Sequence, residues 1–359
     1  MNLTTQFDGL TLANPLMPAS GPLVGDYEKL HFMCLQGCGA VVTKTISTKL
    51  PVIPKPCIYG DKDFVMNSEL WSELPYQTWV EDILPKYSLN KDRPLIISVG
   101  YSESDMETLI PLLDPYADAF EVSTHYVGTN LSVIEGIVKT IRKHTLKPIY
   151  MKISPHIPSP ELFAKTIKNA GANGIVAINS LGPTMKIDIQ DRKIVYGNDA
   201  GFVWTSGPII KPVALATVYK IKQAEPTLTI IGTGGIKSAD DVIEFLLAGA
   251  SAVQMLSAAL LKGKDLYSKI ILDLPKALSK YGFNSVSEVL NTVLDRSVDY
   301  TGVVPTLIPE KCIACQLCKD ICPYFAIEYP QIITIDPVKC FRCGLCVAKC
   351  PTKALIFKK

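Results

Sequence analysis

Residues 148–180 read PIYMKISPHIPSPELFAKTIKNAGANGIVAINS. Two short apolar, β-branched runs, PIYMKIS (148–154) and GIVAINS (174–180), flank SPELFAKTIKNA (159–170), whose apolar residues recur at helical spacing. Strand, helix and strand in that order make a parallel crossover unit. Strands this continuously apolar belong in a sheet covered on both faces.

The same alternation extends in both directions. Strand-like runs stand at NPLMPAS (14–20), AVVTKTI (40–46), PLIISVG (94–100), AFEVSTH (119–125), LTIIGTG (228–234) and AVQMLS (252–257). Helical patterns lie between them: SESDMETLIPLL (102–113), LSVIEGIVKTIRK (131–143), KPVALATVYKIKQ (211–223) and SADDVIEFLLAGA (238–250), the last with a Ser-x-x-Asp cap signal and an end near Gly249. Residues 262–299 also read as helical. Eight strand–helix units predict an α/β fold, a closed (β/α)8 TIM barrel over residues 1–300, with an open doubly wound sheet as the alternative. Two connections are too long for plain crossovers, 47–93 and 181–210. The second has a hairpin pattern around Asp191-Arg192 and Gly197-Asn198. Loops after barrel strands lie on the C-terminal face, so both insertions are expected to wall or cover a site there.

Residues 301–359 are a different kind of sequence. CIACQLCKDICP (312–323) and CFRCGLCVAKCP (340–351) each follow C-x-x-C-x-x-C-x-x-x-C-P, the bacterial ferredoxin run in which the fourth cysteine ligates the other cluster. Cys312, Cys315, Cys318 and Cys350 are therefore expected to hold one 4Fe-4S cluster, and Cys340, Cys343, Cys346 and Cys322 a second. Paired zinc knuckles are the alternative, but zinc ligands come in separated pairs and often include histidine, which this segment lacks. The tail is expected to be a small α+β two-cluster ferredoxin domain carrying single electrons.

Composition narrows the rest. Of the 359 residues 48% are hydrophobic and 19% charged, with a net charge of +2. That fits a large buried core and gives no basic face for a nucleic-acid partner. The N-terminus lacks a basic and an apolar signal region, and the most apolar window, Val242 to Leu261, carries too many polar residues to span a bilayer. Neither secretion nor a membrane is expected. Cluster ligation needs reduced thiolates, which points to the cytoplasm. The remaining cysteines, Cys34, Cys38 and Cys57, read as buried small hydrophobes.

Strand ends carry the candidate chemistry. Gly234-Gly235 after strand seven and Ser257 after strand eight occupy the barrel's usual phosphate position. Lys44 and Lys152 fall at or in strands two and five, where burial requires an electron-rich partner, either a salt bridge or a flavin.

With these residues assembled, the chain resembles the flavin barrel plus ferredoxin part of the dihydropyrimidine dehydrogenases, and its barrel alone resembles the dihydroorotate dehydrogenases. The resemblance is carried by Ala19-Ser20-Gly21, Thr43-Lys44-Thr45, Asn67-Ser68-Glu69-Leu70, Met151-Lys152-Ile153-Ser154, Asn179-Ser180, Ser206-Gly207-Pro208, Gly234-Gly235-Ile236 and Leu256-Ser257-Ala258. It implies FMN at Ala19, Ser20, Gly21, Lys44, Thr45, Lys152, Ser206, Gly207, Gly234, Gly235, Leu256 and Ser257, and substrate at Asn67, Ser123, Asn179 and Ser180. The segment after strand four departs from the family pattern E-x-N-x-S-C-P-N. It reads Glu121-Val-Ser-Thr-His-Tyr-Val-Gly128, with Ser123 for the asparagine, His125 for the serine and Tyr126 for the catalytic cysteine. Tyr126, ahead of His125, is the expected proton-transfer group. The implied activity is oxidoreduction of a small molecule at a CH–CH bond, with electrons passed through two 4Fe-4S clusters to an NAD-linked flavoprotein subunit or a ferredoxin-type carrier in a homo- or hetero-oligomer. The alternative is an electron-transfer subunit using FMN as a relay, without an organic substrate of its own.

Overall fold

A computed structural model describes residues 1–297 and 302–358. The chain divides into two compact units, Met1–Leu294 and Asp295–Lys359; the expected boundary at 300/301 lies outside the described residues.

In the first unit eight parallel strands form the barrel: β1 (Leu16–Pro18), β2 (Val41–Val42), β3 (Leu95–Val99), β4 (Ala119–Ser123), β5 (Ile149–Ile153), β6 (Gly174–Ala177), β7 (Thr229–Thr233) and β8 (Ala252–Met255). Their order, β1-β8-β7-β6-β5-β4-β3-β2, is that of a barrel. At the β1/β2 seam the Gly39 N–H donates to the Leu16 carbonyl at 2.8 Å. The eight strands expected from sequence are all present, each two to five residues shorter in total because the outer residues turn into loops.

Strand alternation sets the barrel's interior in layers. One residue from each strand, namely Met17, Val42, Ile96, Ala119, Tyr150, Val176, Ile231 and Ala252, joins Phe7, Leu10 and Leu12 in a single buried cluster. The last three come from the antiparallel hairpin Thr5–Phe7/Leu10–Leu12, so hairpin and strands together make an apolar floor. Two residues further along the strands the interior turns polar, at Lys44, Ser98, Glu121, Lys152, Thr233 and Gln254, all buried. A larger apolar cluster fills the space between strands and helices.

The helices begin where short polar side chains can cap them. Ser102 accepts from Asp105 N and Asp105 returns the bond, opening Glu103–Leu113; Ser159 caps Pro160–Ala170; and Ser238 accepts from Asp241 N at 3.2 Å to open Ala239–Leu247. Residues 262–299 are not one helical stretch. Leu266–Lys280 and Val286–Leu290 are separate helices, with Gly282 at positive φ between them, and 298–299 lie outside the described residues. Cys34 and Cys38 are buried as expected, with Cys34 Sγ 3.5 Å from the Tyr87 hydroxyl, whereas Cys57 is only half-buried. No helix among the described residues is long and apolar enough to cross a membrane.

The two long insertions meet. Leu181–Thr184, Val203–Ser206, Val65–Asn67 and Ile58–Gly60 make one four-stranded antiparallel sheet, with Trp204 opposite Asn67 and Ser206 opposite Val65. The expected hairpin forms at Ile187–Asp188/Lys193–Ile194, with Arg192 at φ 53° in its turn.

The second unit has two small antiparallel pairs, Thr306–Leu307 with Leu355–Ile356 and Ile327–Glu328 with Thr334–Ile335, and two short helices, Leu317–Asp320 and Leu345–Lys349. Its backbone repeats with its cysteines. Left-handed residues occur in pairs at equivalent motif positions, Ala314/Arg342, Gln316/Gly344 and Phe325/Lys353.

Candidate active site and cluster sites

At the C-terminal ends of the strands lie two contiguous cavities, one of about 100 Å³ and one of about 530 Å³. Ser20, Asn67, Lys152, Asn179, Ser180 and Leu256 line both. The smaller is completed by Ala19, Ser206, Gly207, Gly234, Gly235, Gln254 and Ser257, the larger by Gly21, Lys44, Thr45, Glu69, Trp71, Tyr101, Ser123, His125 and Trp204. Every residue expected to bind cofactor or substrate lines one or both.

The smaller cavity is a polar cradle. Ser206 and Ser257 hydroxyls lie 2.7 Å apart. Gly235 has φ 93°, and a Cβ there would sit 2.6 Å from Lys211 Cβ, so only glycine keeps this turn against the start of the preceding helix, Lys211–Ala224. Gln254 Oε1, buried, has no hydrogen-bond partner, while Gln254 Nε2 donates to Glu121 Oε2 at 2.6 Å.

Both lysines are paired. Lys152 Nζ donates to Glu121 Oε1 at 3.1 Å inside the barrel, and Lys44 Nζ donates to Glu69 Oε1 at 3.2 Å and Glu73 Oε1 at 2.7 Å. The salt bridge and the cavity position, alternatives in the sequence, coexist. Beside them a hydroxyl chain runs Ser20–Thr45–Ser98, each contact 3.0 Å.

The loop after β4 separates its two candidates. His125, held at φ 50°, faces the larger cavity, its ring 5.3 Å from that of Tyr101. His125 is exposed on the lumen side, yet the protein groups crowded around its ring, and then the charge of Lys152, lower its pKa from 6.5 to about 4. It is neutral at physiological pH. Tyr126 does not line the cavity. Its hydroxyl donates to the Asn130 carbonyl at 2.6 Å and its ring packs on the core, so of the two expected proton-transfer residues only His125 faces the lumen. The loop turns at His125, which carries the next side chain away from the lumen.

Sequence reasoning missed Trp71, Tyr101, Trp204 and Gln254. The two tryptophans sit in insertions that give no period, and Tyr101 follows a strand by two residues. Gln254 alone was findable, as an amide inside an otherwise apolar strand. Asp105 anchors this side of the site: its carboxylate accepts from Thr48 Oγ1 at 2.5 Å and from the Tyr101 and Ser102 N–H groups at 3.0 Å. Burial opposes its ionisation, but these bonds prevail and hold its pKa at about 2.

In the second unit one small cavity is lined by Cys312, Cys315, Cys318 and Cys350, and another by Cys322, Cys340, Cys343 and Cys346. The fourth cysteine of each motif thus crosses to the other quartet. Backbone N–H groups of Ala326 and Ala354 reach Cys322 Sγ and Cys350 Sγ at 3.4 and 3.2 Å.

A parallel barrel with a paired-lysine cleft on its C-terminal rim, joined to a unit of two cysteine quartets, defines an iron–sulfur barrel oxidoreductase. The family described as dihydroorotate dehydrogenase matches residues 2–278, and the 4Fe-4S dicluster domain matches residues 311–354. The chain belongs to the dihydroorotate dehydrogenase family and carries a C-terminal 4Fe-4S domain. It is 32% identical over 304 residues to the dihydroorotate dehydrogenase B (NAD(+)) catalytic subunit of Oceanobacillus iheyensis, covering 81% of this chain and 98% of that one. It is 33% identical over 309 residues to dihydroorotate dehydrogenase A (fumarate) of Lactobacillus helveticus, covering 82% and 99%. The Pyrococcus furiosus B-type catalytic subunit gives 32% over 307 residues, 81% and 98%. These relatives are matched almost whole by about four fifths of this chain.

Proposed function

We propose that the protein is an FMN- and iron–sulfur-dependent oxidoreductase that interconverts an activated C=C bond and its saturated form. The observation that carries this is the continuity of the two cavities: a polar cradle joins, through Lys152 and Asn179, a wider chamber bearing a second lysine, as a phosphate-tailed ring cofactor requires. The fit is good at both ends. Ser206, Gly207, Gly234, Gly235, Leu256 and Ser257 would hold the phosphate end, while the unpartnered Gln254 Oε1, an acceptor, suits a hydroxyl or ring N–H of the cofactor and not its phosphate. Ala19, Ser20, Gly21, Lys44, Thr45 and Lys152 would hold the ring. When bound, FMN supplies hydride transfer.

This chain's residues do the rest. Asn67 and Asn179 orient the substrate, with Ser123 and Ser180 beside them. Neutral His125 holds a ring N–H whose proton goes to the carbon that does not receive hydride, and it recovers a proton through the open side of the chamber. The roof sheet covers one side of the chamber through Asn67, Gly182, Pro183 and Trp204, which narrows the access of water. The barrel and the cluster unit form residues 1–300 and 301–359 in this reading. Two 4Fe-4S clusters on the eight cysteines pass the electrons singly. Relatives named as NAD(+) catalytic subunits support an NAD-linked flavoprotein subunit as the exchange partner, with a ferredoxin-type carrier as the alternative. Cluster ligation by reduced thiolates supports a cytoplasmic enzyme, which in this reading works as a homo- or hetero-oligomer.

The test is anaerobic purification, with about eight iron and one FMN expected per chain, followed by chemical reduction and a screen of flavin reoxidation by uracil, thymine, orotate and conjugated enones. Reoxidation by any of these supports the enzyme reading. A reduced flavin that none of them reoxidises leaves the relay reading instead.

A further inference from the structure

We propose that the substrate is an uncharged, flat, conjugated carbonyl compound bearing an aryl or similarly broad apolar group, and that the chamber disfavours carboxylated rings such as orotate. This rests on the alkene-reductase reading above and names its substrate class.

The chamber's walls come first. Trp71, Tyr101 and His125 form a continuous run of rings, with centroids 5.0 Å apart at 61° for the first pair and 5.3 Å at 37° for the second. The Trp71 indole donates to the Lys49 carbonyl, which fixes the ring. Trp204 comes from the roof sheet and lies so close to Gly182 that a Cβ there would be 2.4 Å from its Cδ1. The chamber of about 530 Å³ would hold the flavin ring at Ser20, Gly21, Lys44, Thr45 and Lys152, and the fixed aromatic faces of Trp71, Tyr101 and Trp204 line the space left for a flat apolar ligand at little entropic cost.

Charge decides against an anion. Lys44 and Lys152 are the cationic residues among the described lining. They face Glu69, Glu73 and Glu121, so the local ionic set sums to one negative charge, and His125 is neutral. A carboxylate brought here finds both ammonium groups already engaged and would have to displace a partner.

The polar handle is a donor pair. Asn67 Oδ1 accepts from Glu69 N at 3.1 Å, and Asn179 Oδ1 accepts from Ser180 N at 2.9 Å. Each amide therefore presents its NH2 group to the chamber, which suits a carbonyl oxygen on the ligand. Reduction then adds two electrons and two protons across the C=C bond. One proton would come from His125, which regains it from solvent; the other proton and both electrons would arrive together as hydride from bound reduced FMN, which takes its proton from solvent and its electrons one at a time through the clusters from the partner reductant.

The experiment uses the full chain with flavin and clusters, reduced anaerobically with dithionite and mixed with 4-phenylbut-3-en-2-one, with cinnamate as its charged analogue, and with orotate, while flavin absorbance is followed. The enone is expected to reoxidise the flavin with a second-order rate constant at least about tenfold above either anion. Trp204→Leu should lower the rate for the aryl enone about tenfold while sparing but-3-en-2-one. Glu73→Gln, at a side chain half exposed outside the chamber, frees part of the Lys44 charge and should raise cinnamate affinity without raising that of the enone. Orotate or cinnamate ahead of the enone overturns this proposal alone, and so does an unchanged cinnamate affinity in Glu73→Gln. A chain that binds no flavin, or whose flavin no alkene reoxidises, overturns the underlying reading and this one with it.

Discussion

Lys152 Nζ and Glu121 Oε1 meet at 3.1 Å in the barrel's interior, with the carboxylate wholly buried and the lysine nearly so. Glu121 also takes a hydrogen bond from Gln254, so three strands, β4, β5 and β8, are tied at one point directly above the apolar floor. Glu121→Gln keeps the shape and removes the charge. It should destabilise the chain by about 3 kcal/mol in urea unfolding, because Lys152 is left as an uncompensated buried cation. The bound flavin's midpoint potential should rise, since that charge then favours the reduced anion; an unchanged potential would separate Lys152 from the cofactor ring.

Tyr126 and His125 predict opposite kinetics. Tyr126→Phe removes only a hydroxyl bonded to the Asn130 carbonyl, and flavin reoxidation by the best alkene should stay within about twofold of the parent. His125→Gln should slow it about a hundredfold. Stopped-flow traces showing the reverse order would return the proton-transfer role to Tyr126.

His125 also ties stability to pH. Its folded pKa is near 4 and its unfolded value near 6.5, so between these the unfolded chain binds a proton that the folded chain does not. This contribution is whole above about pH 6.5, shrinks as the pH falls toward 4, and changes no further below that. Urea midpoints measured from pH 7 to 4 should fall less steeply in His125→Gln than in the parent. Parallel slopes would show that this ring ionises freely in the folded state.

Gly235→Ala places a side chain at φ 93° and a methyl carbon 2.6 Å from Lys211 Cβ. The strained backbone alone costs about 1 kcal/mol or more, and the start of the Lys211–Ala224 helix must shift away from the cradle. The variant should lose thermal stability and retain less flavin after gel filtration. Full retention would move the phosphate end elsewhere.

Cysteine crossing can be read from iron content. Cys350→Ser should remove about half of the iron, and adding Cys312→Ser should remove little more, because both line the same cavity. Adding Cys340→Ser to Cys350→Ser should remove nearly all of it. If the first double variant empties the unit and the second does not, each motif holds its own cluster.

The barrel was legible because its signal is repeated and local. Eight apolar runs and capped helices each point the same way, and Ser238 with Asp241 does in the structure what the Ser-x-x-Asp pattern implies. The cysteine quartets were legible because spacing encodes them. The lysines were visible as misfits in apolar strands, although their partners were not: Glu73 lies in an aperiodic insertion, and Gln254 meets Glu121 across 133 positions of sequence. The order of Tyr126 and His125 was unreadable because it depends on one left-handed residue in a loop, where neither period nor propensity speaks. The aromatic walls were hidden for the same reason, since Trp71 and Trp204 belong to segments whose shape is set by each other.

That mutual dependence fixes a time order in synthesis. The roof strand Val65–Asn67 pairs with Val203–Ser206, and Ser206 reaches back to the Val65 carbonyl across 141 positions. While the chain is still on the ribosome, the first insertion therefore waits without its partner until the sixth strand and the connection after it have emerged. A nascent chain shorter than that has a floor and several walls but no ceiling, so it cannot keep a ligand. Loading of the barrel in this sense waits at least until residue 206 of the 359 has emerged, and a shortened second insertion would leave the first as an unpaired edge exposed to other chains.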